Sequence, residues 1–481
     1  MAKDLFYLLI DEWIWLFILM PLFFTLSLYL TYKTGFVQCR FLKATWSSLF
    51  EKTSDNIGIS PLGAFNLSMA GRISTGNVIG VTFAISVGGP GAVFWMWVVA
   101  FLSMALAFIE NILTQVYRVK IGDIYQGGPA YYIAKGLKSP KLGALFALVL
   151  IFVFGFLFNI IQSSTIIDMV SMTYEVQSNI WVLIGLVVLT GIAISGGLRR
   201  ISHVTEIIVP FILLLYFCVM LFIFATNITA VPGIFQLIIN NAFGGQEMMV
   251  GGLTAAMVQG VKRGLLFNGT GMGSSTLAGA TANTRHPAKQ GLLQSLGVFM
   301  DTFFVSGITA FVILESGIYG HGIPNGILLA QNAISHYLGG FAPYYVSFVL
   351  LLTSFAAIVA NYYYGESNIT YLSRRKSVLL SYRVVVLGML VLGALIDIEL
   401  LWDIVTLFIG SMTIVNLVVI FLLSGTALKV WANYLQQRNA GIIPHFYAED
   451  LPELSGIESW EKPEALKNRE REDAYFKAMP K

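Results

Sequence analysis

Two short stretches of the chain carry residues able to bind a small ion or zwitterion, and both stand inside otherwise apolar runs. They are GRISTGNVIG at 71–80 and NGTGMGS at 268–274. The first centres on Gly71-Arg72-Ile73-Ser74-Thr75-Gly76-Asn77, the second on Asn268-Gly269-Thr270-Gly271-Met272-Gly273-Ser274. Backbone N–H and C=O groups freed by a helix break inside lipid cost several kcal/mol each unless something satisfies them. Such a break is tolerated where it lines a buried cavity or binds a ligand. Free N–H groups at a half-helix N-terminus attract an anionic group, and free carbonyls at a facing half-helix end suit a cation or an ammonium. Together they describe a site for a small zwitterion with a metal cation nearby. The glycines could instead serve close helix packing; two clusters at matching places favour the site. GTGMGS is not read as a nucleotide loop, because no strand precedes it and no Gly-Lys-Ser/Thr follows.

The elements that must position these stretches are membrane helices. Of 481 residues 56% are hydrophobic and 11% charged, and the mean hydropathy is +0.75. Soluble domains average about 25% charged residues, so this chain lacks the polar surface to face water all round. Runs long enough to cross a bilayer recur at 12–34, 58–88, 91–118, 143–170, 179–196, 205–226, 248–281, 290–314, 342–371, 378–397 and 404–430, about eleven spans. The segments 38–52 and 230–243 read as interfacial, and from 437 the chain turns charged, as a soluble tail would. Lys and Arg set orientation. They cluster after spans one, three, five, seven and nine, for example Arg199 and Arg200 or Arg374, Arg375 and Lys376, while the alternate loops hold almost none. The N-terminus is expected outside and the C-terminus in the cytoplasm. No basic region followed by a cleavage site opens the chain, so no cleaved signal peptide is expected.

Spans two to six and seven to eleven then form two sets of five with opposite topology, each opening with an interrupted helix. Paired interruptions in inverted halves are the best sequence pointer to a secondary transporter's binding site. The expected units are an extra first helix with its interfacial segment (1–57), a first five-helix repeat (58–226), an inverted second repeat (248–430) and a cytoplasmic tail (437–481).

The residues also resemble a known family. GRISTGNVIGVTFAISVGGPGAVFWMWVVAFLSMALAFIE is similar to the signature of the alanine or glycine:cation (sodium) symporter family, amino acid carriers of the amino acid–polyamine–organocation superfamily. GDIYQGGPAYYI (122–133), GGLRRISHVTEIIVP (196–210), NGTGMGSSTLAGATANTRHPAKQGLLQSLGVFMDT (268–302) and YYYGE (362–366) follow in the family's order. The resemblance covers roughly 28–435 and implies an all-α fold of the leucine-transporter type, five plus five inverted helices after one extra helix. It implies import of alanine or glycine driven by sodium. It places Thr75, Gly76 and Asn77 near the substrate carboxylate and a cation, Gln162 at a polar pocket position, and Asn268 to Gly273 on the facing unwound segment. Leu266 and Phe267 join that pocket, as does Asn361.

The chain departs from the family at two places. Leu265-Leu266-Phe267-Asn268-Gly269-Thr270-Gly271 replaces the usual Leu-Phe-Ser-Asn-Glu-Ala-Gly, so an acidic residue is missing and the pocket aromatic is shifted or lost. On span nine Phe355-Ala356-Ala357-Ile358-Val359-Ala360-Asn361 replaces Phe-Ser-Thr-Ile-Leu-Gly-Trp. Alanine methyls cannot coordinate a hard cation that wants oxygen, which leaves Gly76, Thr353 and Ser354 as the candidate sodium ligands. Asn361 in place of tryptophan widens or polarises the pocket, so the substrate can differ from alanine. A proton-coupled or uncoupled exchanger is therefore the alternative.

Charges inside membranes are usually functional. Arg72 and Asp301 are the coupling or gating candidates. Lys262 and Arg263 are expected to pair with Glu110 or Glu366 or to reach an outer vestibule, and Glu206 to pair with Arg199 or Arg200. No two intramembrane aspartates or His-Glu-x-x-His motif suggest an enzyme, the five histidines show no ligand spacing, and Cys39 and Cys218 read as packers. No basic stripe interleaved with aromatics supports nucleic-acid binding. The expected protein is a multi-pass permease of a bacterial plasma (inner) membrane, surrounded by lipid. It moves a small neutral amino acid by alternating access, with a single chain sufficing.

Overall fold

The computed structural model describes residues 13–51, 57–174, 180–243, 252–319, 326–396 and 398–462. Helices dominate it, in the order α1 (Ile14–Lys33), α2 (Leu42–Leu49), α3 (Pro61–Arg72), α4 (Gly76–Gly88) and α5 (Gly91–Val116). A hairpin of β1 (Val119–Ile121) and β2 (Ile124–Gln126) follows, antiparallel, with Val119 opposite Gln126. Then come α6 (Pro129–Gly136), α7 (Pro140–Tyr174), α8 (Ile180–Ser195), α9 (Gly197–Asn227) and α10 (Val231–Ala242). The remainder are α11 (Gly252–Asn268), α12 (Ser274–Ala280), α13 (Pro287–Ser316), α14 (Ile327–Leu338), α15 (Ala342–Leu372), α16 (Lys376–Gly393) and α17 (Ile398–Asn439).

Eight of these stretches are long and apolar enough to cross a membrane. The broken pairs α3/α4 and α11/α12 and the 16-residue α8 make up the eleven expected spans. The segments read as interfacial fold as the short helices α2 and α10. Exposed apolar side chains such as Ile184, Leu189, Phe421 and Leu422 stand on the outer faces of α8 and α17, as lipid-facing residues do.

Local chemistry explains both breaks. Ser60 caps α3, its hydroxyl accepting from the Gly63 N–H at 2.9 Å, with Pro61 at the first helical position. The helix leaves the α region at Ile73, whose ψ of 87° turns the chain away. It restarts as a π-turn over Gly76–Gly80. In the second break Gly269, Gly271 and Gly273 hold φ of +65°, +77° and +87°. Those left-handed values strain any residue with a Cβ, so the alternating glycines encode the interruption directly.

The core runs along α5, which packs against α13 and α11 on its two sides. A parallel bridge between Ile59 and Ala282 ties the start of the first broken helix to the end of the second; Ile59 donates to the Thr281 carbonyl at 3.1 Å and accepts from the Asn283 N–H at 2.9 Å.

The tail docks on the helical body. Phe446 and Trp460 are buried, and the Trp460 indole donates to the Gln115 carbonyl at 2.7 Å. Arg118 lies between the rings of Tyr125 and Trp460, 3.7 and 4.2 Å from their centroids. Charged composition hid two aromatic anchors here, because a short segment buries little area and shows no apolar run. The sequence-expected residues beyond 462 lie outside the described ones.

Candidate functional site

The two breaks meet. The Arg72 guanidinium, at the end of α3, donates from Nε to the Asn268 carbonyl at 3.0 Å. Its Nη1 donates to the Gln294 side-chain oxygen at 3.1 Å, and the same oxygen accepts from Ser68 at 2.6 Å. The free carbonyl at the end of α11 is thus satisfied by a charge from α3, as a gate would require. The ring of Phe267 lies across Gly76 and Gly80, where a Cβ would fall inside it. Tyr364 of α15 brings its hydroxyl against Gly71 in the same way.

The second break is held by a residue from a third helix. The Gly271 N–H donates to Oε2 of Glu110 at 3.2 Å. The Asn416 amide donates to Oε1 of Glu110 at 2.7 Å and to the Gly271 carbonyl at 2.8 Å. Tyr132 in turn donates to the Asn416 side-chain oxygen at 2.6 Å. An internal carboxylate from α5 thus occupies a backbone donor of the second break. Asn268 closes the turn, accepting from the Thr270 N–H at 2.9 Å and donating to Ser103 at 3.0 Å.

At the first break the Asn77 side chain accepts from the Ser74 N–H at 3.0 Å. That fixes its amide nitrogen toward α13, where it donates to Asp301 Oδ1 at 2.7 Å and to the Ser306 hydroxyl at 3.0 Å. Thr302 donates to the other Asp301 oxygen at 3.1 Å. Asp301 and Ser306 both lie in a π-turn of α13, Met300–Ser306. Single π-turns inside α-helices are frequent at functional sites.

Thr75, Asn77, Gln162, Asn268, Thr270, Asp301, Thr353, Ser354 and Asn361 are all buried. The site is closed to solvent. Several of these buried polar atoms have no hydrogen-bond partner: the hydroxyls of Thr75, Thr270 and Ser354 and the Gln162 amide oxygen, and beside them Nη2 of Arg72 and the Gln294 amide nitrogen. Buried polar atoms are almost always paired, by protein, water or ligand. Two of these hydroxyls sit one at each break.

The structure brings Arg72, Gly76, Asn77, Phe267, Asn268 and Asp301 together. Gln162 stands on α7, which packs mainly on α15 and α16, and Asn361 on α15; among the described residues no hydrogen bond ties either one to a break. Thr353 donates within its own helix, to Leu350 at 3.1 Å. Ala356 and Ala357 are fully buried. Several expected pairings are corrected. Glu110 is engaged at the second break, and Glu366 faces Arg383 at 4.0 Å. Lys262 and Arg263 lie over the rings of Trp15 and Phe83, which offer a cation its attractive π face. Glu206 accepts from Ser202 at 3.1 Å, and Arg199 pairs with Asp123 at 3.2 Å. Glu110, Gln294, Ser306 and Asn416 were missed as site residues; the only available signal was a polar side chain within an apolar span.

The family model described as the sodium:alanine symporter family matches residues 3–448. The amino-acid carrier protein AlsT of Bacillus subtilis (strain 168) is 43% identical over 94% of this chain and 96% of its own. The probable sodium/glutamine symporter GlnT of the same strain is 41% identical over 94% of each chain. The sodium/proton-dependent alanine carrier protein of Bacillus sp. (strain PS3) is 32% identical over 85% of this chain and 95% of its own. Among solved structures, a mutant of the Eremococcus coleocola manganese transporter superposes with a TM-score of 0.51 at 10% identity, covering 86% of each chain. That likeness is one of fold.

Proposed function

The chain belongs to the sodium:alanine symporter family, is a transporter rather than an enzyme, and from that premise we propose that it imports a small neutral amino acid, of alanine or glycine size, together with sodium. The observation that carries the proposal is the meeting of two broken helices with an unpaired buried hydroxyl at each, Thr75 and Thr270. A zwitterion between them offers both hydroxyls a partner. Its carboxylate belongs at the first break, since Glu110 holds the Gly271 donor of the second. The repeats 58–226 and 248–430 then rock about this point, with basic loops and the C-terminus in the cytoplasm. Arg72 closes the path on one side by bridging α3 to Asn268 and Gln294.

Phe267 limits cargo size, because its ring fills the space over Gly76 and Gly80. This favours alanine over glutamine, the cargo in one relative's name. Purified protein in proteoliposomes with sodium outside should accumulate labelled alanine, and excess unlabelled glycine should compete better than glutamine. Equal uptake with choline replacing sodium would reject sodium symport. Failure to accumulate any of the twenty amino acids would reject the function.

A further inference from the structure

Around the two breaks three ionisable side chains are fully buried: Arg72, Glu110 and Asp301. Two carboxylates thus face one guanidinium. Arg72 spends its hydrogen bonds on Asn268 and Gln294 rather than on either acid. An isolated charge in a dry interior costs several kcal/mol even after relaxation, so one negative charge needs a positive partner. Each acid is met by two neutral donors. Those of Glu110 are the fixed Gly271 backbone N–H and the Asn416 amide, whereas both donors to Asp301, the Asn77 amide and the Thr302 hydroxyl, are side chains that a cation can displace.

The surroundings of Asp301 suit a small cation. The hydroxyl oxygens of Thr302 and Ser306 lie on the same π-turn, and hard cations bind through such oxygens. A mostly apolar cavity is bordered by Val78, the residue after Asn77, and by Ile308 and Thr309, just past Ser306. Arg72 of α3 is the buried positive charge of the same site.

Resting on the transport function proposed above, we propose that Asp301, with the hydroxyls of Thr302 and Ser306, is the seat of the single monovalent cation that travels with the amino acid. The cation takes the place of the Asn77 amide on the carboxylate. Because Asn77 also holds the Ser74 N–H, its release rearranges the first break, where the substrate carboxylate belongs. Cation and substrate are thereby coupled through one side chain, and Thr353 and Ser354 are not the ion's ligands.

The test is the melting temperature of the purified full chain, titrated with sodium chloride against choline chloride at constant ionic strength and without amino acid. A ligand that binds only the folded state raises that temperature. Sodium should raise it in the wild type and not in Asp301→Asn, while Thr302→Val combined with Ser306→Ala should raise the half-saturating sodium concentration about tenfold or more. If Asp301→Asn fails to fold, the hydroxyl variants alone decide. If sodium has no effect but acidification stabilises the wild type and not Asp301→Asn, the seated cation is a proton. A sodium shift surviving in Asp301→Asn, or lost instead in Thr353→Ala with Ser354→Ala, overturns the assignment. This measurement needs no amino acid, so it is decided separately from the transport assays.

Discussion

Phe267 shows how one side chain sets the shape of the site. Its ring lies flat over two glycines one helical turn apart, and both are required by that contact rather than by backbone conformation. Gly80 has an ordinary helical φ of −68°, so alanine there meets no strain in the chain itself. The added methyl would enter the ring's volume, and overpacking of this kind costs about 1–3 kcal/mol. Gly80→Ala should therefore lower the melting temperature and cut alanine uptake at least tenfold. Adding Phe267→Leu should restore much of the stability. Unchanged uptake in the single variant would show that the ring does not occupy this place during transport.

At the scale of elements, the N-terminal end of α13 is built from a capping histidine. His286 accepts from the Ala288 N–H at 3.1 Å through Nδ1 and meets the Asn433 side-chain oxygen at 3.2 Å through Nε2. The first bond leaves Nδ1 unprotonated, so the proton of the neutral ring is on Nε2. Full burial lowers its pKa from the usual value to about 3. The unfolded residue takes up a proton near pH 6.5 and the folded one only near 3. Stability from this group is complete above pH 6.5 and declines as pH falls through the interval between those values, at most about 1.4 kcal/mol per pH unit. The wild type should melt progressively lower from pH 7 to pH 5, and His286→Asn, which can still cap α13, should show a shallower slope. Equal slopes would mean that the ring charges freely in the fold.

The same scale shows what was legible beforehand. Both interruptions could be read because their cause is local: three glycines at left-handed φ in one case, a polar turn in the other. The spans and interfacial helices followed from hydropathy. The partners of the breaks could not be read. Gly271 and Glu110 are 161 residues apart, and Asn77 and Asp301 are 224 apart; a contact across that separation leaves no periodic trace. The tail's docking was hidden for a related reason, since its hold rests on Phe446, Trp460 and the sandwiched Arg118 rather than on any apolar run.

For the whole molecule, the central claim is that the two broken helices enclose one cargo between them. Thr75 and Thr270 mark the two sides, both buried with unpaired hydroxyls. Cys39 and Cys218 are exposed, so the test begins in a background carrying Cys39→Ser and Cys218→Ser. Thr75→Cys and Thr270→Cys are then introduced separately, and labelling by a small membrane-permeant thiol reagent is timed with and without alanine in sodium. Alanine should slow labelling at both positions with the same half-saturating concentration. Protection at only one position, or at neither while alanine is still transported, would contradict a cargo held between the two breaks.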